Sequence, residues 1–212
     1  MQALREAFAF DRIGPTALDT FVRRHLAFIA GDFVLPTFLD NHDMNRFLWV
    51  VRGDARRLKL AALCQFTLPN PPIIYYGTEV GRSQDRDVRS ADGSGHPEES
   101  RLPMLWGADQ DLELLAFYQR LIAVRRESGD LWRGTRSAIV LDDASGVSVH
   151  RHDAGARTAL VILNNGPDPR RVETAVDGPW RTAIATDSAV SVVGGAVMLP
   201  AYAGVILVPD SG

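Results

Sequence analysis

The feature that most constrains this chain is a pair of short apolar runs, each ending on polar residues. Val34-Leu35-Pro36-Thr37-Phe38 leads into Asp40-Asn41-His42-Asp43, and Pro72-Ile73-Ile74-Tyr75-Tyr76 leads into Gly77-Thr78-Glu79. Apolar runs of this length, bounded by turn residues, read as strands buried on both faces, as in parallel sheets. Between them Asp54 is placed to cap a helix over 55–68, with Leu58, Ala61, Ala62, Gln65 and Phe66 on one face. Pro69-Asn70-Pro71-Pro72 ends that helix sharply. The order strand (34–39), helix, strand (72–76) is an α/β unit, and ligands of parallel sheets and barrels bind at the strands' carboxyl ends.

At those ends stand His42, Asp43 and Glu79. An imidazole beside a carboxylate suits hydrogen bonding to vicinal hydroxyls, and Asp43 could face a developing cation. Asp43 with Glu79 is the tempting pair for glycoside chemistry, which needs two carboxyl groups flanking the bond. Blander roles stay open. Asp40 could cap the loop backbone, Asn41 could be a turn residue, and Glu79 could brace the corner after Gly77. Arg46 either pairs with a carboxylate or lines the cleft. Tyr75 and Tyr76 read as packing, as do Met104 and Trp106.

The remaining chain begins with a helical stretch over 1–10, with Leu4, Ala7 and Phe8 on one face. Thr16 with Asp19 resembles a capping box for a helix whose apolar stripe carries His25 and which Gly31 would stop. A long polar loop spans 81–110; loops of that length are functional or disordered. Its Asp85, Asp87 and Asp92-Gly93 fail as a calcium loop, because Arg89 occupies the fifth position. Asp111 caps a helix over 112–127, with Leu115, Tyr118, Leu121 and Ile122 inward. The pattern then alternates: 138–141, 147–150, 158–163, 181–184, 196–199 and 205–208 read as strands of a small antiparallel sandwich, with His150 and His152 outward. The expected domains are 1–130 and 131–212.

A net charge of −3 with interspersed signs gives no nucleic-acid footprint. No apolar stretch approaches the ~20 residues of a membrane span. The single cysteine, Cys64, reads as a small core residue, and a cytoplasmic setting fits.

FLDNHD, a helix, PPIIYYGTEVG and then RLPMLW together resemble the later part of the catalytic barrel of the alpha-amylase family of glycoside hydrolases (family 13), nearest its cyclomaltodextrinase and neopullulanase group. The resemblance implies an α/β chain: the last part of a (β/α)8 TIM barrel, strands seven and eight, followed by a small antiparallel β-sandwich. It implies an α-linked glucan or oligosaccharide as substrate and a retaining mechanism. His42 would bind the hydroxyls of the sugar at the cleavage point, and Asp43 would stabilise the transition state. Asn41, Arg46 and Glu79 are the further substrate-binding candidates. No cofactor or metal is expected, since Asp40, His42 and Asp43 lack a second ligand-supplying segment. The family's nucleophilic Asp and acid/base Glu lie well upstream of this motif. Residues 1–37 offer only Glu6, Asp11, Asp19 and Asp32 as acids, none after a buried strand. The chain is therefore expected to be inactive alone and to need the N-terminal barrel portion or self-association, because barrel strands without neighbours leave edges open. Two rivals remain: a glucosyltransferase or isomerase of the same family, and a non-catalytic carbohydrate-binding or structural partner. The latter would use an aromatic platform, for which Trp132, Trp180 and Tyr202 are the candidates, although each stands beside a turn and reads as packing.

Overall fold

Local signals set the helices. In the structure, a computed structural model that describes residues 2–28, 33–90, 92–174 and 179–210, α1 (Gln2–Phe8) buries Leu4, Ala7 and Phe8 as its spacing requires. After α2 (Pro15–Phe28) and the short α3 (Phe47–Val50) comes α4 (Ala55–Phe66), whose N-cap Asp54 accepts from the Arg56 amide. The expected face of α4 is buried, and so are Leu60, Leu63 and Cys64, so the helix is enclosed nearly all round. Asp111 caps α5 (Leu112–Glu127) by accepting from the Leu114 amide.

Two helix expectations need correction. Asp19 does not close a capping box. The first turn of α2 is instead capped from a distance: Asp143 Oδ1 accepts from the Thr16 amide at 2.8 Å. The inward stripe of α5 is Leu114, Phe117, Tyr118 and Leu121, while Leu115 is half-buried and Ile122 exposed. Tyr118 and Leu121 face inward as expected, and Leu114 and Phe117 complete an i, i+3, i+4, i+7 stripe in place of Leu115 and Ile122. The stop expected at Gly31 lies outside the described residues.

The two apolar runs do not form ladders. They meet in a single parallel bridge, Thr37 to Pro72. The Thr37 amide donates to Pro71 O at 2.8 Å and the Ile73 amide to Thr37 O at 2.6 Å. Gln65 Nε2 of α4 adds a bond to Thr37 O at 2.8 Å. The physical reason is that a doubly buried parallel pair needs further strands beside it. Among the described residues these runs have only each other, and Pro36, Pro71 and Pro72 supply no amide donors.

After a short 3₁₀ turn at Leu131–Arg133 the chain becomes all-strand: β1 (Thr135–Asp142), β2 (Val147–Ala154), β3 (Arg157–Asn164), β4 (Arg170–Glu173), β5 (Trp180–Ala185), β6 (Ser191–Val193), β7 (Ala196–Leu199) and β8 (Ala203–Pro209). They form a five-stranded sheet, β1-β2-β3-β8-β5, and a three-stranded sheet, β4-β7-β6, with every pairing antiparallel. Val149, Leu160, Ile162 and Leu207 of the larger sheet pack with Val172, Val197 and Leu199 of the smaller. The other face of the larger sheet presents Ala159, Val161, Leu163, Ile184 and Ile206 to the core of the helices. The fold is α/β with antiparallel sheets, and the five-stranded sheet is covered on both sides.

That double cover overturns the outward reading of two histidines. His150 and His152 are 5% and 1% exposed. Their face of β2 meets the helical part instead of solvent. His150 Nε2 lies 3.2 Å from Asp19 Oδ1, and Arg136 Nη1 donates to the same oxygen at 2.6 Å. Burial lowers the His150 pKa to about 4 and that of His152 to about 3. Trp132, a candidate for an aromatic platform but read as packing, is 1% exposed and sits edge-on to His152 at 5.2 Å. Trp180 and Tyr202 are half-buried.

Candidate active site

The residues before the turn at 41–43 are engaged by the interior. Arg5, buried in α1, donates through Nη1 to Leu39 O at 2.8 Å and to Asn45 O at 3.0 Å. Asp40 is 1% exposed: Oδ2 accepts from the Phe47 amide at 2.8 Å, which caps α3, and Oδ1 accepts from Thr78 Oγ1 at 2.8 Å. Burial raises its pKa, against the pull of those two bonds and of Arg46 and Arg5. Asp40 thus ties the end of the first run to the end of the second.

Arg46 neither makes an ion pair among the described residues nor reaches a cleft. It is fully buried, donates through Nη1 to Tyr76 O at 2.7 Å, and lies 4.2 and 4.8 Å from the ring centres of Tyr75 and Tyr76. The direct substrate contact expected of it is therefore corrected to scaffold, since a side chain without solvent exposure cannot meet an incoming sugar. Glu79 is half-buried with Oε2 enclosed, near enough to the Tyr118 phenol to add to the rise in its pKa that burial causes first. Its Oε2 is enclosed, whereas the Asp43 side chain is 67% exposed.

Upon this base His42 and Asp43 project outward. Their side chains are 58% and 67% exposed, with His42 Nε2 3.2 Å from Asp43 Oδ2. Asn41 Oδ1 accepts from the Asp43 amide at 2.9 Å, an Asx turn that fixes how the pair leaves the backbone. The arrangement offers an acceptor carboxylate and a donor-acceptor imidazole side by side to a ligand approaching from solvent. That is hydroxyl-binding chemistry, with an anion available for a developing positive charge.

The long polar loop is ordered by buried polar residues that have no local sequence signal. Gln84, 5% exposed, accepts from the Arg46 amide at 2.6 Å and donates to Asn45 Oδ1 at 2.7 Å. Asn45 Oδ1 also accepts from the Val88 amide at 2.8 Å. The 3₁₀ turn Pro97–Arg101 then brings Ser100 and Arg101 onto the 42–43 backbone. Trp106, expected to pack, is 73% exposed; Met104 is half-buried. Among the described residues no group of three or more His, Cys, Asp or Glu could hold a metal ion, and no helix is long and apolar enough to cross a membrane.

A family profile described as alpha amylase, catalytic domain, matches residues 3–112, more than half of the chain. The chain belongs to the alpha-amylase family. Alpha-amylase 2 of Dictyoglomus thermophilum is 39% identical over 138 residues, which is 65% of this chain and 24% of that protein. A cyclomaltodextrinase of Geobacillus thermopakistaniensis is 31% identical over 151 residues, 70% of this chain and 24% of that protein. Neopullulanase 2 of Thermoactinomyces vulgaris is also similar, at 31% identity over 139 residues. Among solved structures, one titled cyclomaltodextrinase superposes with TM-score 0.80 at 27% identity, over 99% of this chain and 35% of that one. The chain thus spans about a quarter of the length of the curated relatives it matches. The family match covers the 41–43 turn, the 81–101 loop and both apolar runs.

Proposed function

We propose that this alpha-amylase-family chain supplies the closing side of a site that cleaves α-glucosidic bonds of oligo- or polysaccharides. Residues 1–130 would be the end of the catalytic barrel, with 34–39 and 72–76 in the places of its seventh and eighth strands, and 131–212 a β-sandwich domain. The observation that carries the reading is the exposed His42–Asp43 pair on a turn whose supporting residues are otherwise buried. In this role His42 hydrogen-bonds hydroxyls of the sugar at the cleavage point. The Asp43 carboxylate faces the positive charge that develops in the oxocarbenium-like transition state. Asn41 sets the turn. A retaining mechanism also needs a nucleophilic carboxylate and an acid/base carboxyl about 5–5.5 Å apart. In the family both working acids lie upstream of the FLDNHD motif, so they would come from polypeptide outside these residues.

The surface beside the site supports the same reading. Phe10, Phe33, Val34 and Ile73 are exposed, and a groove of about 600 Å³ runs between α1 and the first run, where Leu35, Phe38 and Met44 meet Arg5, Glu6 and His25. Such a surface fits a place where more of the barrel would pack. The purified chain, incubated with maltotriose or a cyclomaltodextrin, should release no reducing sugar; turnover would overturn the assignment of roles. Size-exclusion chromatography should show self-association through the open face, and a compact monomer would count against it.

A further inference from the structure

We propose that Arg101 is the positioning residue for Asp43, delivered to it by the loop 81–101. The inference rests on the functional reading only for what Asp43 does; the geometry stands by itself. Arg101 Nε donates to His42 O at 3.2 Å, Nη2 to Asp43 Oδ1 at 3.4 Å, and Nη1 to Glu98 Oε1 at 3.4 Å. Each of the three guanidinium nitrogens thus has its own acceptor: the bond to the His42 carbonyl anchors the planar fork, and the two longer, exposed contacts direct its other ends to Asp43 and Glu98.

The carrier is held by buried groups. Ser100 is fully buried, and its Oγ donates to the same His42 carbonyl at 2.8 Å. Glu99, 6% exposed, accepts from the amides of Asp85 and Arg86 at 3.1 and 3.4 Å and from Arg86 Nε at 3.0 Å. The loop therefore folds back on itself just before Arg101, and Ser100 docks it on the 42–43 backbone. Asp43 would otherwise be a mobile carboxylate: its side chain is 67% exposed, and its other contact is the similarly exposed His42. One oxygen is held by Arg101 and the other faces His42, which sets the plane of the carboxylate. An exposed ion pair adds little stability, so the role is orientation. A group meant to meet a developing charge must be aimed beforehand, because reorientation during reaction raises the barrier.

The test uses the isotope-labelled 212-residue chain without sugar. Three-bond couplings to Cγ report the Asp43 χ1 rotamer. Wild type should show one dominant rotamer. Arg101→Gln should give rotamer-averaged couplings at Asp43 and leave the buried Asp40 unchanged. Arg101→Lys keeps the charge but cannot reach three acceptors, so it should fall between. Averaging in wild type, or unchanged couplings in either variant, would overturn the proposal. If Arg101→Gln does not fold, the wild-type Arg101 Nε–H decides. It should exchange at least tenfold more slowly than that of the exposed Arg89, and equal exchange refutes the contact. No sugar is present, so a failure here is distinct from a failure of the glycosidase reading, which the turnover assay judges.

Discussion

Replacing His152 by Phe should stabilise this protein and flatten its response to acid. His152 is 1% exposed, and neither ring nitrogen has a hydrogen-bond partner. Arg136 and His150 add positive charge nearby, Asp153 adds negative charge, and Trp132 covers the ring edge-on. Burial, then Arg136 and His150, lower its folded pKa from 6.5 to about 3. The unfolded chain therefore takes up this proton first. The histidine's neutral form is favoured fully above pH 6.5, and stability falls as the pH falls from 6.5 towards 3. At ~1.36 kcal/mol per pKa unit the loss at pH 4 is about 3 kcal/mol. Against a typical total of 5–15 kcal/mol this is a large share. His150, lowered to about 4 by burial and then by Arg136 against the pull of Asp19, adds loss of the same sign. Asp40 has the opposite sign, because its raised pKa makes acid favour the folded state. The substitution separates these effects. Phe keeps the ring against Trp132 and removes two unpaired polar atoms, a gain of about 1 kcal/mol at pH 7. Urea unfolding followed by circular dichroism at pH 7, 5.5 and 4 measures both quantities. The advantage of the variant should grow by about 3 kcal/mol between pH 7 and pH 4. An unchanged pH slope, or a variant less stable than wild type at pH 7, would refute the reasoning.

Two further substitutions probe the seam between helices and sheet. Asp19→Ala leaves the Arg136 side chain, 11% exposed, without its carboxylate, and should cost about 3–5 kcal/mol in urea unfolding. Gly204→Ala places a methyl group 2.9 Å from both Leu163 Cδ2 and Leu60 Cδ1, where β8 meets α4. Overpacking there should cost about 1–3 kcal/mol and lower the thermal midpoint. A loss below 0.5 kcal/mol in either would contradict the packing described.

What the sequence made legible was local. Asp54 and Asp111 announce α4 and α5 because a cap acts within its own turn. The Thr16–Asp19 spacing misleads for the same reason: it fits a local rule, while the actual cap, Asp143, is 127 residues away. β4 and β6 escape a periodicity reading because they have four and three residues, and within β4 only Val172 is buried. The period of β2 placed His150 and His152 on one face correctly. Period cannot say what covers a face, and both faces of this sheet are covered.

The site divides along the same line. The chemistry of FLDNHD is contiguous, so residue type and order suffice to single out His42 and Asp43 as candidates. The groups that aim them lie 58 and 59 residues further on, in Ser100 and Arg101, and meet them only through the fold. Those contacts depend on Gln84 and Glu99 being buried, and a lone polar residue in a polar loop gives no sign of that before the loop is closed. Arg46 shows the converse. A guanidinium three residues after a carboxylate invites a role at the surface, yet it is enclosed by Tyr75 and Tyr76, whose place beside it follows from the parallel bridge and not from spacing. A motif can thus nominate which groups would react, while their alignment is a property of chain closure. Substitutions in the distant loop should accordingly change the geometry at Asp43 while leaving the motif itself untouched.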